Sequence, residues 1–259
     1  MPTDFSRQEP RFFSCFDDPA VRALCARMME LASEIKTDVE LYVDAFRETL
    51  RFPERVFHRL HQFRDVYDRF LQEVIEREDL GVTCGKSCPA CCHVVPCGLE
   101  PLEIIGIYDQ IRQWPDFEAI IRGAGAAMSS FQKVLQESGP TGKTPVKSSS
   151  EVFGRALSNF YLLRIPCIFL DQKRGTCRIY DIRPFICRAV FSLSDPAYCG
   201  PDHPGFSLRS LEVIEPVDEI NFVLMETHAV MGASLGFRFP DILQQGLLAW
   251  HRWVRERPG

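Results

Sequence analysis

Apolar positions in the first 80 residues recur at helical spacing. Val21, Leu24, Met28, Leu31 and Ile35 follow one another at intervals of three and four, the signature of a single helix face. Asp17 or Asp18 can cap this helix, and Pro19 suits a first turn in which a missing N–H costs nothing. Cys25 lies on the same stripe and reads as a small core residue. A second helix is predicted from near Pro53, carrying Val56, Phe57, Leu60, Phe63, Tyr67, Phe70 and Val74. His58 and His61 lie on it without an acidic or cysteine neighbour in sequence, so they read as surface or packing residues. Gly81 is expected to end this helix and open a cysteine-rich segment.

A third helix is predicted from about Pro101 to Gln113, with Ile104, Ile107, Tyr108 and Ile111 on one face and Pro115 as its stop. A Gly/Ala/Ser-rich stretch follows, and residues 138–150 read as a flexible linker. The GKT within it resembles a phosphate-binding loop, but Glu137 stands where that loop needs glycine and no strand leads in. Residues 165–179 are the best strand candidate, two runs joined by a polar turn. A five-residue loop over 171–175 would pair Phe169 with Cys177 and bring Cys167 and Cys177 to one face, whereas a shorter loop would reverse that relation. Asp181 can cap a short helix carrying Cys187. Residues 206–257 return to helical patterns, including a helix from Asp241 to Val254 in which Trp250 and Trp253 mark packing. The pattern predicts a mainly α protein with a small β-hairpin (α+β) and an irregular cysteine-rich centre packed between helices. Its regions are an N-terminal helical segment over 1–80, a cysteine-cluster domain over 81–200 and a C-terminal helical segment over 201–259.

Composition adds constraints. The chain has 259 residues, 46% of them hydrophobic, enough for one large domain or a compact one with helical extensions. A net charge of −5 argues against a nucleic-acid groove, which needs a concentrated basic face. No apolar run reaches membrane-spanning length, and MPTDFSRQEP lacks the apolar core of a signal peptide, so the expected location is the cytoplasm with no membrane partner. Eleven cysteines then need an explanation. Their number is odd, four fall within residues 84–92, and Cys91 and Cys92 are adjacent, which strains any bond between them. Thiolate ligands around a cation explain this crowding better than disulfides.

The first group reads Cys84-Gly-Lys-Ser-Cys88-Pro-Ala-Cys91-Cys92-His93. Ligands two or three residues apart let one turn direct several sulfurs at one centre, with Gly85 and Pro89 shaping that turn. His93 can ligate or donate a hydrogen bond from outside the ligand set. The second group, Cys167, Cys177 and Cys187, is spaced by ten residues each time, a span that suits a hairpin and a following helix. Lys86, Arg183 and Arg188 are candidates for offsetting the thiolate charge; the two arginines can equally pair with Asp181, Asp171 or surface carboxylates.

Together, CGKSCPACC, CIFL and GTCRIYDIRPFICR resemble the YkgJ-type cysteine cluster family, a zinc- or iron-chelating domain of CxxxCxxCC type. The resemblance covers about residues 84–190, takes in Glu103 as the acidic residue after the first group, and leaves Cys15, Cys25, Cys97 and Cys199 without a role. It implies metal or iron–sulfur binding through Cys84, Cys88, Cys91, Cys92, Cys167, Cys177 and Cys187. One related group is similar to flagellin lysine methylases, but nothing in the sequence extends that activity here.

Seven thiolates exceed the four that a tetrahedral zinc ion or a 4Fe–4S cluster takes. Either one centre has neutral thiols beside it, or two metals are present. An iron–sulfur cluster is the first expectation and mono- or dinuclear Zn2+ the alternative. The expected role is accessory, in redox or metal handling, with an unidentified protein partner. The alternatives are an S-adenosylmethionine-dependent protein-modifying enzyme, whose C-x3-C-x2-C spacing is present without its strand–helix repeats, and a thiol oxidoreductase.

Overall fold

The computed structural model describes residues 13–85, 88–139, 149–240 and 242–256. Helix α1 (Pro19–Thr49) begins as its sequence predicts: Asp18 is extended and its Oδ1 accepts the Ala20 N–H at 2.8 Å. It ends with Leu50 in the left-handed region, φ 55°. Helix α2 (Glu54–Arg77) stops four residues before Gly81. The turn is made instead by Asp79, at φ 48°, a conformation that aspartate tolerates better than most side chains. A buried carboxylate joins the two helices, Asp38 of α1 taking Arg55 at 2.9 Å and also Arg59 of α2.

Helix α3 runs over Pro101–Ile111, two residues short of the expected end. The Gly/Ala/Ser-rich stretch is a helix, α4 (Phe117–Glu137), burying Ile120, Ala124, Ala127, Phe131 and Val134 at helical spacing. Helix α5 covers Ser149–Leu162. The expected linker is therefore shorter than 138–150, since Ser149 and Ser150 are helical and Ser138 is buried, accepting from Asn159 at 3.2 Å. Residues 140–148 of it, with the GKT, lie outside the described residues.

The hairpin is reduced to β1 (Leu170–Asp171) and β2 (Thr176–Cys177), with Leu170 opposite Cys177 and Asp171 opposite Thr176. This corrects the five-residue loop by one position. Asp171 Oδ1 accepts the N–H groups of Lys173 and Arg174 at 3.0 and 3.2 Å, and Gly175 closes the turn at φ 66°. That local chemistry fixes the shorter loop and the register. Asp181 does not cap the helix with Cys187. It lies in a 3-10 turn (Tyr180–Ile182), and α6 (Phe185–Ala189) starts after Pro184. A second, unexpected antiparallel pair joins β3 (Val190–Ser192) to β4 (Leu211–Val213). Helices α7 (Asp218–Leu235) and α8 (Leu243–Arg255) complete the chain.

Helix α1 packs on α2 and α7, while α8 packs on α3 and α4. The main core draws on all three predicted regions, from Phe13 through Phe70 and Ile104 to Trp250, and Trp250 stacks on Trp253 at 4.6 Å. A smaller core under α4 and α5 contains Met128, Phe131 and Phe160. The protein is mainly helical with short strand pairs. Among the described residues no helix is long and apolar enough to cross a membrane.

Candidate metal centre

Little regular structure exists where the cysteines lie, so neighbouring elements hold them. Thr83 donates its N–H to Ser192 O at 2.9 Å, fixing the start of the first loop against β3. Ser192 in turn donates its own N–H to Cys84 Sγ at 2.8 Å. Cys88 N–H closes a turn on Gly85 O at 2.9 Å, and Pro89 leads into one 3-10 turn, Ala90–His93. Lys86 lies outside the described residues. His93 Nδ1 is 3.1 Å from Arg164 O, which leaves Nε2 as its other ligating nitrogen.

The second group meets the first through the backbone, Cys167 N–H donating to Cys92 O at 2.6 Å. Cys167 precedes β1, so it reaches the site through this loop contact rather than as a strand neighbour of Cys177. Cys187 rides on α6, whose start is tied to α3. Glu103 is fully buried and accepts Phe185 N–H at 2.9 Å and Glu100 N–H at 3.1 Å. Burial pushes its carboxyl up to about 7, against the pull of Arg64 and those two N–H groups.

Arg188 is buried, and its guanidinium is engaged by protein acceptors. It bonds Asp68 at 2.5 Å, Asp181 O at 2.6 Å and Arg183 O at 3.1 Å. Arg183 differs. Its guanidinium lies over Tyr180 at 4.2 Å and its charge bears on Cys91 and Cys177, while its buried Nε has no hydrogen-bond partner.

The thiols fall within electrostatic reach of one another. Cys91 acts on Cys167, Cys177 and Cys187, and also on Cys84 and Cys199. Its hydrogen bond with Cys92 pulls the Cys91 thiol below its ordinary value, aided by Arg183 against burial. The same bond, then burial and the neighbouring sulfurs, drives Cys92 upward. Burial pushes Cys167 up to about 12 and raises Cys84, Cys177, Cys187 and Cys199. A site that gathers this many neutralised thiols suits a cation, which deprotonates them on binding. The unpartnered Arg183 Nε and the N–H aimed at Cys84 fit an anionic thiolate centre. Among the described residues no disulfide forms, and no three His, Cys, Asp or Glu side chains are already closed on a point that could hold a metal ion.

Cys199 is the residue that sequence reasoning passed over. It ends a 3-10 turn (Pro196–Cys199) packed against the turn carrying Cys91 and Cys92. The sequence signal is a repeated Pro-Ala step, before Cys91 and again before Cys199. A cavity of about 520 Å³, open to solvent, has Cys88, His93, Tyr161, Arg164 and Cys199 in its wall. Cys15 and Cys25 are part of or packed against the main core on the α1 side, and Cys97 packs against the smaller one.

No curated protein and no solved structure matches the chain. Residues 83–201 match the family model CxxCxxCC, described as a "Putative zinc- or iron-chelating domain", a span that reaches past the motif resemblance to take in Cys199. Residues 83–201 are thus similar to the CxxCxxCC family, the one their cysteine spacing resembles, and that match supports metal binding.

Proposed function

We propose that the chain is an accessory metalloprotein that holds an iron–sulfur cluster through thiolates of its two cysteine groups and serves in redox or metal handling. The observation that carries this reading is the junction of the groups. Cys92 and Cys167, far apart in sequence, are joined by a 2.6 Å backbone hydrogen bond, and the Arg183 guanidinium, whose charge bears on Cys91 and Cys177, has a buried Nε without a hydrogen-bond partner. Closely spaced cysteines from one turn, joined by remote ones, are the ligation pattern of such clusters. When bound, the cluster would supply one-electron chemistry. The chain's own part is to gather the sulfurs, to hold Arg183 beside Cys91 and Cys177, and to point the Ser192 N–H at Cys84.

Zinc is the second reading, because the family description names it beside iron. Anaerobic purification followed by iron, sulfide and zinc analysis, with an absorption spectrum, separates the two. Cys88→Ser and Cys177→Ser should lose metal, whereas Cys25→Ser, set against the α1–α7 core, should keep it. Protein without stoichiometric metal, indifferent to chelation, would sink the proposal. A catalytic role with S-adenosylmethionine is the competing class. The described strands are only two or three residues long, unlike the strand–helix repeats of the barrel enzymes that use that cofactor with this cysteine spacing. Binding of S-adenosylmethionine to the metal-loaded protein would favour that class.

A further inference from the structure

The open cavity beside the first cysteine turn has features of a binding site that the metal reading leaves unused. At about 520 Å³ it falls in the size range of small-molecule sites. Pro89, Pro196, Pro201 and Tyr161 give it a largely apolar wall, which the ring-locked backbone of the prolines stiffens. Two sides of the wall are tied together, because the Tyr161 hydroxyl at the end of α5 donates to Cys199 O in the 3-10 turn Pro196–Cys199. Among the described residues that line the cavity none is aspartate or glutamate, and Arg164 is the one that always carries a charge.

Arg164 is held in place against its backbone preference. It lies at φ 52°, in the left-handed region that a long side chain rarely adopts. Its N–H donates to Tyr161 O at 3.1 Å and its carbonyl accepts from His93 Nδ1 at 3.1 Å, so the peptides on both sides of it are fixed. Strain of this kind gathers at ligand clamps, where the surroundings over-determine it. The guanidinium bonds the carboxylate of Asp202, whose side chain is 76% exposed. An ion pair so exposed contributes little and opens at low cost. Asp202 thus stands where the carboxylate of an incoming molecule would lie.

We propose that this cavity binds a small organic acid, its apolar body against the proline and Tyr161 wall and its carboxylate on Arg164 in place of Asp202. The planar fork of guanidinium N–H donors matches a carboxylate in shape as well as charge. The chain alone forms the cavity, so the site stands apart from the metalloprotein reading. A molecule held there adjoins Cys88 and lies beside whatever the first cysteine turn holds.

The test is isothermal titration calorimetry of full-length protein, purified anaerobically, with 2-naphthoate and with its uncharged amide. Circular dichroism confirms folding of each variant. The parent should bind the acid at least about tenfold more tightly than the amide, the lower end for a hydrogen-bonded charge. Arg164→Gly suits the left-handed backbone and removes the guanidinium, so it should stay folded and lose that preference. Asp202→Ala should tighten the acid by about two- to fivefold, because it removes a competitor of surface-pair strength, and leave the amide unchanged. Ala197→Trp, at an exposed position of the wall, should weaken both probes. No binding of the acid by folded parent at millimolar concentration overturns the site. So does an unchanged preference in folded Arg164→Gly, or no gain in acid binding by Asp202→Ala. Metal analysis of the same preparations reports on the metalloprotein reading by itself, so the two can fail separately.

Discussion

Arg188 offers the sharpest test of what the residues around the cysteines do. In sequence it flanks Cys187 and could serve by charge alone. In the structure it is a clamp, drawing together the 3-10 turn at Asp181, the backbone at Arg183 and α2 at Asp68. Arg188→Met keeps much of the volume and removes all three bonds. Hydrogen bonds from a charged donor contribute about 1.5–3 kcal/mol each. The Asp68 pair is discounted to at most about 1 kcal/mol because that carboxylate is half exposed. The two carbonyls then dominate, and the expected loss is about 3–5 kcal/mol, the range for breaking a buried charged contact. Arg188→Lys should lose about half as much, since an ammonium lacks the planar fork that spans three acceptors. Asp68→Asn should lose at most about 1 kcal/mol. The assay is urea unfolding of metal-free protein followed by circular dichroism, with metal content measured separately on protein purified anaerobically. If Arg188→Met lost its metal yet unfolded with the parent's metal-free stability, the clamp would be refuted and a direct electrostatic role established.

Glu103→Ala should destabilise the metal-free protein by about 2–4 kcal/mol, because it leaves Phe185 N–H without its acceptor and removes a carboxylate beside buried Arg64. Glu103→Gln should recover only part of this in thermal unfolding, since its amide has one oxygen where the carboxylate uses two. Gly246→Ala should lower the melting temperature: the added methyl would stand 2.5 Å from Ile104 Cδ1 and 3.2 Å from Pro240 O. The overpacking costs about 1–3 kcal/mol, beyond the roughly 1 kcal/mol gained in helix propensity, and adding Ile104→Val should restore most of the loss.

What could be read from sequence follows from how local its cause is. The start of α1 was legible because Asp18, Pro19 and the Val21–Ile35 stripe act within a few residues. Helix α4 was not, because Gly123, Ala124, Gly125, Ala126 and Ala127 carry too little hydrophobic contrast to show the face that buries Ala124 and Ala127. The hairpin register turned on Asp171 accepting two backbone N–H groups, a choice between loops that the strand pattern leaves open. At the candidate centre the short-range cysteine spacing carries the family likeness, and 83–201 matches that family. The position of Cys199 depends on α5 and two 3-10 turns meeting in space, which no local spacing reports.

That difference in locality extends to stability. The cysteine segments consist of single 3-10 turns, two-residue strands and a five-residue helix, none able to persist alone. The helices around them bury Val21, Met28, Leu31, Phe46, Phe63 and Phe70 almost completely without using a cysteine of either set. Metal removal should therefore loosen the centre and leave the α1–α2–α7 scaffold standing, because binding energy acts as folding energy only for the elements that the metal orders. Hydrogen exchange on metal-loaded and chelated protein measures this directly. The amides of Cys167, on Cys92 O, and of Ser192, on Cys84 Sγ, should exchange at least tenfold faster after chelation, about 1.4 kcal/mol of lost protection. Amides in the middle of α1 and α2 should keep their rates. Equal loss of protection in both places would mean that the helices depend on the metal and that the scaffold does not precede the site.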